Sequence, residues 1–264
     1  MQSAHSEKIT VRKLVGLKGK SPIVAITAYD YIQARICDAA GADLILIGDS
    51  MGNNILGFEN TVPVTLDMMV HHSAAVSRAK PKALVVADVP FGQGAGRDFD
   101  RLLDTCMHLM QEGGVDAVKI EGTQLIAPQV ALLVEAGIPV LGHIGLHPQR
   151  VNAIGGYRKY GKTELEREEL IDDATALEAA GAFAIVGEMI DGETAQVINN
   201  TIDIPLIGIG CGPNLDGQIS VITDILGMGL GKYPAFTKQY ANLAEDMRKA
   251  ITSYADEVRG KQFP

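Results

Sequence analysis

Short apolar runs alternate with longer amphipathic segments along most of the chain. The runs are rich in Val, Ile and Leu and predict strands, whereas the segments between them have the periodicity of helices. Because the runs are continuously apolar, they indicate a parallel sheet covered by helices on both faces. The runs lie at residues 23–30, 44–50, 83–90, 117–122, 138–145, 182–189 and 204–212.

Glycine ends several of the predicted helices directly before the next strand. This arrangement is typical of a helix that stops on a left-handed residue. The sequences are AAGAD (39–43), EGGVD (112–116), EAGIP (135–139) and AAGAF (179–183).

The repetition of strand and helix favours a closed (β/α)8 TIM barrel over an open sheet with a second domain. An eighth strand is not evident, because GQISVITDILGM (217–228) reads as a helix and the region after Gly227 as terminal helices. We therefore predict one domain over residues 1–264, a barrel with C-terminal helices. Residues 147–164 are polar and Gly-rich, and we expect them to form an inserted loop over one barrel end.

Composition and charge narrow the classes of partner. Apolar residues make up 47% of the 264 residues, enough for a large core, and the net charge of −9 argues against binding to nucleic acid or an anionic membrane. The three cysteines contain no C-x-x-C pair, which argues against a disulfide framework or a zinc site. With a polar N-terminus and no long apolar run, the chain is predicted to be cytoplasmic and to act on small molecules.

Polar side chains follow or close the predicted strands. In a parallel barrel the carboxyl ends of the strands share one face, where active sites are built. Read in chain order, these residues are Asp30, Asp49 with Ser50, Asp88, Lys119 with Glu121, His143 and Glu188.

The acids of this set differ in what they predict. Asp30 is expected to be a helix N-cap. Asp49, Asp88, Glu121 and Glu188 directly follow apolar runs, where a desolvated carboxylate needs a cation or hydrogen bonds. A hard divalent cation such as Mg²⁺ would offset their repulsion, so we predict that at least two of them bind metal.

Lys119 and Glu121 lie two residues apart on one strand, so both side chains should face the barrel interior. Lys119 is a candidate to hold a substrate carboxylate or to form a Schiff base, and a structural ion pair is the alternative. His143 is either a substrate contact or a hydrogen-bonded core residue. His71 and His72 lack the i, i+4 spacing of a helical metal site and are predicted to be structural.

The glycine-rich stretch GIGCGPNLDG (208–217) follows the seventh strand. Backbone N–H groups at this place in a barrel often bind phosphate. A steric role, in which glycine lets the loop pass close to the barrel mouth, is an equally good interpretation.

A series of motifs makes the chain similar to the ketopantoate (3-methyl-2-oxobutanoate) hydroxymethyltransferase family. The resemblance runs in order from about residue 8 to residue 240. Its motifs are TAYDY (27–31), GDSMG (48–52), TVPVTLDMM (61–69), ADVPFG (87–92), VKIEG (118–122), GHIGLHPQ (142–149), GGYRKYGK (155–162), ALEAAGAFAIVGE (176–188) and IPLIGIGCGPNLDGQ (204–218).

The resemblance implies a (β/α)8 barrel of the phosphoenolpyruvate/pyruvate superfamily type, commonly a homodecamer. It implies transfer of a one-carbon unit from 5,10-methylenetetrahydrofolate to 3-methyl-2-oxobutanoate, which gives 2-dehydropantoate for pantothenate biosynthesis. A Mg²⁺-stabilised enolate would be the reactive species.

The residue roles that the resemblance implies fall on the strand-end set. Asp49, Asp88 and Glu121 would bind Mg²⁺, with Asp49 and Asp88 also contacting substrate. Ser50 and Lys119 would hold the oxoacid, and we add His143 as a further substrate contact. Glu188 would be the proton acceptor.

Some positions depart from the family pattern and leave folate affinity and oxoacid preference open. They are Gln93 with Gly94, His147, Cys211 and Thr223 with Asp224.

Two alternatives stay open beside the family function. A Mg²⁺-dependent oxoacid C–C lyase or a phosphonopyruvate-type mutase would usually have a second acid where ADVPFG has Pro90. A non-catalytic metabolite-binding paralogue would have lost an acid or the base, and all of them are present.

Overall fold

Eight parallel strands form a closed barrel in chain order, which confirms the predicted (β/α)8 architecture. The structure is a computed structural model that describes residues 1–93, 98–229 and 231–263. The strands are β1 Ile23–Thr27, β2 Leu44–Ile47, β3 Leu84–Asp88, β4 Ala117–Glu121, β5 Val140–Gly145, β6 Ala184–Glu188, β7 Leu206–Ile209 and β8 Gly217–Ser220.

Helices connect the strands and precede the barrel. They are α1 Val11–Val15, α2 Tyr31–Ala39, α3 Met51–Asn54, α4 Leu66–Ser77, α5 Phe99–Gln111, α6 Ala127–Glu135, α7 Val151–Ile154, α8 Glu164–Ala179, α9 Gly192–Thr201, α10 Ile222–Ile225 and α11 Leu243–Arg259. Two 3₁₀ turns span Gln124–Ile126 and Pro148–Arg150. The predicted glycine stops are confirmed, because Gly41, Gly114, Gly137 and Gly181 all have positive φ.

Strand β8 corrects the sequence interpretation, which placed residues 217–228 in a helix. Helix α10 occupies only Ile222–Ile225 of that stretch, and Gly217–Ser220 closes the barrel instead. A Cβ atom on Gly217 would lie 2.5 Å from the Ile23 carbonyl oxygen, so glycine lets β8 approach β1 closely. Gln218 and Ser220 interrupt the apolar pattern of β8, so its sequence lacks the continuous apolar run that predicted the other strands.

Two compact units divide the chain, residues 1–219 and residues 220–264. The first contains the barrel core, in which strand side chains such as Leu44, Val86 and Leu141 are fully buried. The second contains α10 and α11. The single-domain assignment for residues 1–264 stays a prediction.

Acidic residues have different roles at the two ends of the barrel. At the amino ends of the strands, carboxylates accept backbone N–H groups of a neighbouring strand, as Asp43 does from Val24 at 2.9 Å and Asp116 from Val85 at 2.8 Å. These acids therefore stabilise strand pairing. The carboxyl ends carry the candidate chemistry.

Among the described residues, no helix is both long and apolar enough to cross a lipid bilayer.

Candidate active site

The strand-end residues lie together at the carboxyl mouth of the barrel. Strand register fixes part of this arrangement, because Asp88 pairs with Lys119 across β3 and β4, and Glu121 pairs with His143 across β4 and β5. Glu188 is the last residue of β6. Asp49 follows β2, and its N–H donates to Asp88 Oδ2 at 3.0 Å.

Lys119 and Asp88 form a buried ion pair, with Nζ 2.8 Å from Oδ1 and both side chains at most 5% exposed. Burial alone would lower the pKa of Lys119, but Asp88 and the neighbouring carboxylates outweigh it and raise that pKa above its ordinary value. The ammonium therefore stays charged. A charged amine is not a nucleophile, which disfavours the Schiff-base interpretation and leaves substrate holding and ion pairing.

His143 connects Lys119 to the other side of the mouth. Burial, and then the charge of Lys119, hold the pKa of the His143 imidazole well below its ordinary value, so the ring is neutral. The Lys119 ammonium lies 3.1 Å from Nδ1 and can only donate, which leaves the ring proton on Nε2. That nitrogen lies 3.4 Å from Glu188 Oε2. Nε2 has no hydrogen-bond partner among the described residues, so His143 borders Glu188 without fixing it, and its ring has no free lone pair to act as a base.

The carboxyl mouth of the barrel contains more carboxylates than the single positive charge of Lys119 can neutralise. Burial, and then Asp88, raise the pKa of Asp49 to about 7. Burial likewise raises the pKa of Glu121 well above its ordinary value. For Glu188 burial raises the pKa to about 7, although Lys119 opposes the shift. Each of these carboxylates would be stabilised in its charged form by an additional cation.

The donor set fits a hard divalent cation only in part. Carboxylate oxygens are the ligands that Mg²⁺ prefers, and two carboxylates with water or substrate oxygens suffice for it. Asp49 and Asp88 are adjacent at the mouth, since the Asp49 N–H donates to Asp88 Oδ2, and they are the candidates for such a pair. Within residues 1–93, 98–229 and 231–263, however, no three His, Cys, Asp or Glu side chains already converge as a metal cage.

Glu188 is followed by a strained residue. Met189 has φ 51°, in the left-handed region that non-glycine residues rarely occupy. Its N–H donates to the Ile209 carbonyl at 2.9 Å, and its carbonyl accepts from Tyr160 N at 2.8 Å. Neighbouring backbone therefore holds the turn that aims Glu188, as is common at active sites.

Residues 147–164 cross the mouth, as expected for an inserted segment. Near its start, Gln149 donates from its side chain to Asp49 Oδ2 at 2.8 Å. Near its end, Tyr160 bridges to Ile190 after β6. The segment is more ordered than the predicted loop, since it contains a 3₁₀ turn and α7. The sequence analysis did not identify Gln149, and a polar side chain within GHIGLHPQ was the only signal.

Ser50 lies beside Asp49 at the same mouth. Its hydroxyl is 2.9 Å from the hydroxyl of the buried Tyr29, from the end of β1. This contact holds Ser50 without using its full hydrogen-bonding capacity, because a hydroxyl can both donate and accept.

Some polar residues from the sequence analysis are structural. Asp30 caps α2 by accepting from Gln33 N at 2.8 Å, as predicted, and is exposed. His72 Nδ1 lies 2.6 Å from the Tyr29 carbonyl, which is consistent with the structural role proposed for it.

The glycine-rich stretch after β7 lines a cavity of about 520 Å³. Lys162 and Arg167 share that cavity with Asp191 and Glu193. Because both signs of charge are present, the cavity does not favour a phosphate over the steric interpretation.

The departures from the family pattern have individual contacts. His147 Nε2 lies 3.0 Å from the His143 carbonyl, and Gln93 accepts from Arg101 Nε at 2.6 Å. Cys211 accepts from Ile190 N at 3.2 Å and donates to the Gly187 carbonyl at 3.0 Å.

Two other departures from the family pattern are Thr223 and Gly94. Thr223 is buried in the 220–264 unit. Gly94 lies outside the described residues.

Comparison with known proteins identifies the family of the chain. The ketopantoate hydroxymethyltransferase family model matches residues 8–264. A 3-methyl-2-oxobutanoate hydroxymethyltransferase of Pyrobaculum aerophilum is 50% identical over 248 residues, which cover 94% of each chain. The enzyme of the same name from Moorella thermoacetica is 46% identical over 262 residues, covering 99% of this chain and 97% of its own.

Solved structures with the same fold are more distant in sequence. A phosphoenolpyruvate phosphomutase from Streptomyces platensis subsp. rosaceus has a TM-score of 0.62 at 15% identity, covering 96% of this chain and 88% of its own. A 2,3-dimethylmalate lyase, described as a PEP mutase/isocitrate lyase superfamily member, has a TM-score of 0.59 at 19% identity, covering 94% and 86%. At these identities the likeness concerns the barrel alone.

The family match spans nearly the whole chain and the relatives are close to half identical over almost their full lengths, so this chain belongs to the ketopantoate hydroxymethyltransferase family.

Proposed function

We propose that this protein transfers a hydroxymethyl group from 5,10-methylenetetrahydrofolate to 3-methyl-2-oxobutanoate, giving 2-dehydropantoate in pantothenate and coenzyme A biosynthesis. The observation that carries the proposal is the ring at one barrel mouth of the buried Asp49, Asp88, Lys119 and Glu121 with the half-buried Glu188, in a chain of this family. We place the reaction in the cytoplasm. It consumes one water and releases tetrahydrofolate.

The oxoacid carboxylate is proposed to bind at Lys119. The ammonium is buried and held charged by Asp88 at 2.8 Å, so it can provide a charge-assisted hydrogen bond in a site of low dielectric. Ser50, which follows β2 at the same mouth, is proposed as a hydroxyl donor to the same substrate.

Glu188 is proposed to remove the C3 proton of the oxoacid. Its carboxylate takes the proton, and the C–H electron pair forms the C2–C3 double bond of the enolate. A carboxylate whose pKa is raised to about 7 is a stronger base than an ordinary glutamate and still ionises near neutral pH. Water adds to the methylene carbon of the opened folate iminium, and its C–N bond breaks with the electron pair going to nitrogen, which releases tetrahydrofolate. The enolate C3 attacks this same carbon, whose oxygen takes a proton and becomes the hydroxyl of the product.

We propose Mg²⁺ as the cofactor, held by Asp49, Asp88 and Glu121. When bound, it would supply Lewis-acid stabilisation to the keto oxygen and carboxylate of the oxoacid. Its charge would also offset the excess of buried acid.

The folate would bind at the same barrel mouth, in contact with the 147–164 segment. Arg150, Arg158 and Lys159 are candidates for its glutamyl carboxylates, with a solvated basic surface as the alternative. Arg158 already pairs with Glu166 at 2.7 Å and stacks on Tyr160, which leaves Arg150 and Lys159 as the better candidates.

We further propose a homo-oligomer, decameric by family resemblance. Helix α11 supports association, because its side chains Met247, Ile251, Tyr254 and Val258 are exposed and apolar at helical spacing. No nucleic acid or membrane partner is proposed.

The lyase or mutase alternative is less well supported. The structural neighbours with those names share only the fold, and Pro90 stands where a second acid would follow Asp88. A non-catalytic binding paralogue would not need a base with a raised pKa beside a charged lysine.

Incubation of the purified protein with 3-methyl-2-oxobutanoate and methylenetetrahydrofolate should yield 2-dehydropantoate only when Mg²⁺ is present. Product formation is followed by mass spectrometry. If no 2-dehydropantoate forms and the protein instead cleaves a C–C bond of another oxoacid supplied with Mg²⁺, the lyase interpretation is correct.

Replacing Asp49 or Asp88 with Asn, or Glu121 with Gln, should weaken Mg²⁺ binding and leave the fold intact, because each change removes ligand charge without removing core volume. Calorimetric titration with Mg²⁺ in the presence of oxoacid measures this. Asp43→Asn, at the opposite barrel end, serves as the control. Unchanged affinity in all three variants would show that these acids are structural.

A further inference from the structure

Gln149 lies where three strand ends meet. Its side-chain Nε2 donates to Asp49 Oδ2 at 2.8 Å and to the Val89 carbonyl at 2.9 Å. Its backbone N–H donates to Glu121 Oε2 at 3.2 Å. One residue of the 147–164 segment therefore contacts the ends of β2, β3 and β4 at once.

The chemistry of an amide suits this place. The NH₂ group has two hydrogens and both have acceptors here, one of them a buried carboxylate. Unlike a lysine or arginine, the amide orients Asp49 without cancelling its charge. The carboxylate is thus held in position and remains able to bind a cation.

Neighbouring residues fix Gln149 from both sides. Pro148 begins the 3₁₀ turn, and Arg150 N donates to the His147 carbonyl at 2.9 Å. The buried His147 ring contacts the His143 carbonyl through Nε2 at 3.0 Å. Because a carbonyl can only accept, Nε2 carries the proton. The segment is therefore anchored to β5 directly before Gln149.

We propose that Gln149 is a positioning residue, which orients Asp49 and Glu121 for the cation and oxoacid and couples the 147–164 segment to their binding. The coupling to substrate rests on the function proposed above. The orientation of the two acids rests on the hydrogen bonds that Gln149 donates to Asp49 and Glu121.

Gln149→Met tests the proposal, since it keeps side-chain length and removes both amide donors. We expect the dissociation constant for Mg²⁺ alone, measured by calorimetry, to rise about 10-fold or more, as for other residues that orient metal ligands. Gln149→Asn keeps the amide on a shorter stem and should restore part of the affinity. Gln196→Ala, at an exposed position of α9, is the control and should bind as wild type does.

Limited trypsin digestion provides a second measurement that needs no turnover. Cleavage after Arg150, Arg158, Lys159 or Lys162 should be several-fold faster in Gln149→Met than in wild type. Mg²⁺ should slow this cleavage in wild type and have little effect in the variant. Faster cleavage with unchanged Mg²⁺ affinity would overturn the proposal, because Gln149 would then only fasten the segment.

Wild-type protein that binds no Mg²⁺ would overturn it as well. These measurements use neither oxoacid nor folate. A failure of the proposed transferase reaction therefore does not affect their outcome, and the two ideas can fail separately.

Discussion

Glu188→Gln should reduce proton exchange at C3 of 3-methyl-2-oxobutanoate by about 100-fold or more, while Mg²⁺ and the oxoacid still bind. Glutamine keeps the shape and hydrogen bonding of Glu188 but cannot accept a proton. With Mg²⁺ and oxoacid in deuterated water and no folate present, wild-type enzyme should wash deuterium into C3. Proton NMR of the C3 methine follows the exchange directly.

The control for this substitution is Glu193→Gln, on the exposed side of α9. It should exchange as fast as wild type. Undiminished exchange in Glu188→Gln would place the base elsewhere. His143 is then the next residue to test, although its Nδ1 faces Lys119 at 3.1 Å. No exchange in wild type would mean that enolisation awaits folate or that the substrate is a different one.

The pH dependence of exchange follows from the same carboxyl. Burial raises the pKa of Glu188 to about 7, so exchange should increase as the pH rises towards 7 and level off above it. The pH dependence of the free energy of unfolding has the opposite sign. The folded protein keeps a proton on Glu188 that the unfolded chain releases near its ordinary value of 4.5, so this group costs stability as the pH rises from about 4.5 to about 7.

Lys119→Ala should raise the oxoacid KM and lower kcat, together costing about 2 to 4 kcal/mol of transition-state stabilisation. The buried substrate carboxylate would lose its charge-assisted partner, and Asp88 would be left without its counter-charge. Steady-state kinetics and oxoacid titration measure the two effects separately.

Lys18→Ala is the matched control for this prediction. Lys18 also pairs with an acid, Asp216 at 2.9 Å, but at the amino ends of the strands. Its removal should lower stability and leave KM unchanged. Equal kinetic effects from both lysine variants would indicate that Lys119 acts only as a structural ion pair.

A Schiff base at Lys119 would require its amine to be uncharged. The neighbouring carboxylates keep its amine protonated, so borohydride with the oxoacid should trap no adduct. A covalent adduct at this residue would contradict the enolate mechanism.

The sequence by itself determined the architecture and most of the candidate chemistry. Continuous apolar runs separated by amphipathic segments predicted the closed barrel, because burial on both sheet faces makes strands β2 to β7 almost continuously apolar. Acids placed directly after those runs identified Asp49, Asp88, Glu121 and Glu188, since a charge at the end of a buried strand needs compensation. Both signals are local.

Only the tertiary structure decided features that depend on residues distant along the chain. Strand β8 depends on close approach to β1 at Gly217, and its sequence, interrupted by Gln218 and Ser220, does not reveal this. The pairing of Lys119 with Asp88 and His143 follows from strand register. Gln149 reaches Asp49 across 100 positions, and its role depends on the path of the segment that carries it. Periodicity and spacing describe neighbours in sequence, whereas these contacts arise when the barrel closes and brings separate strand ends within hydrogen-bond distance.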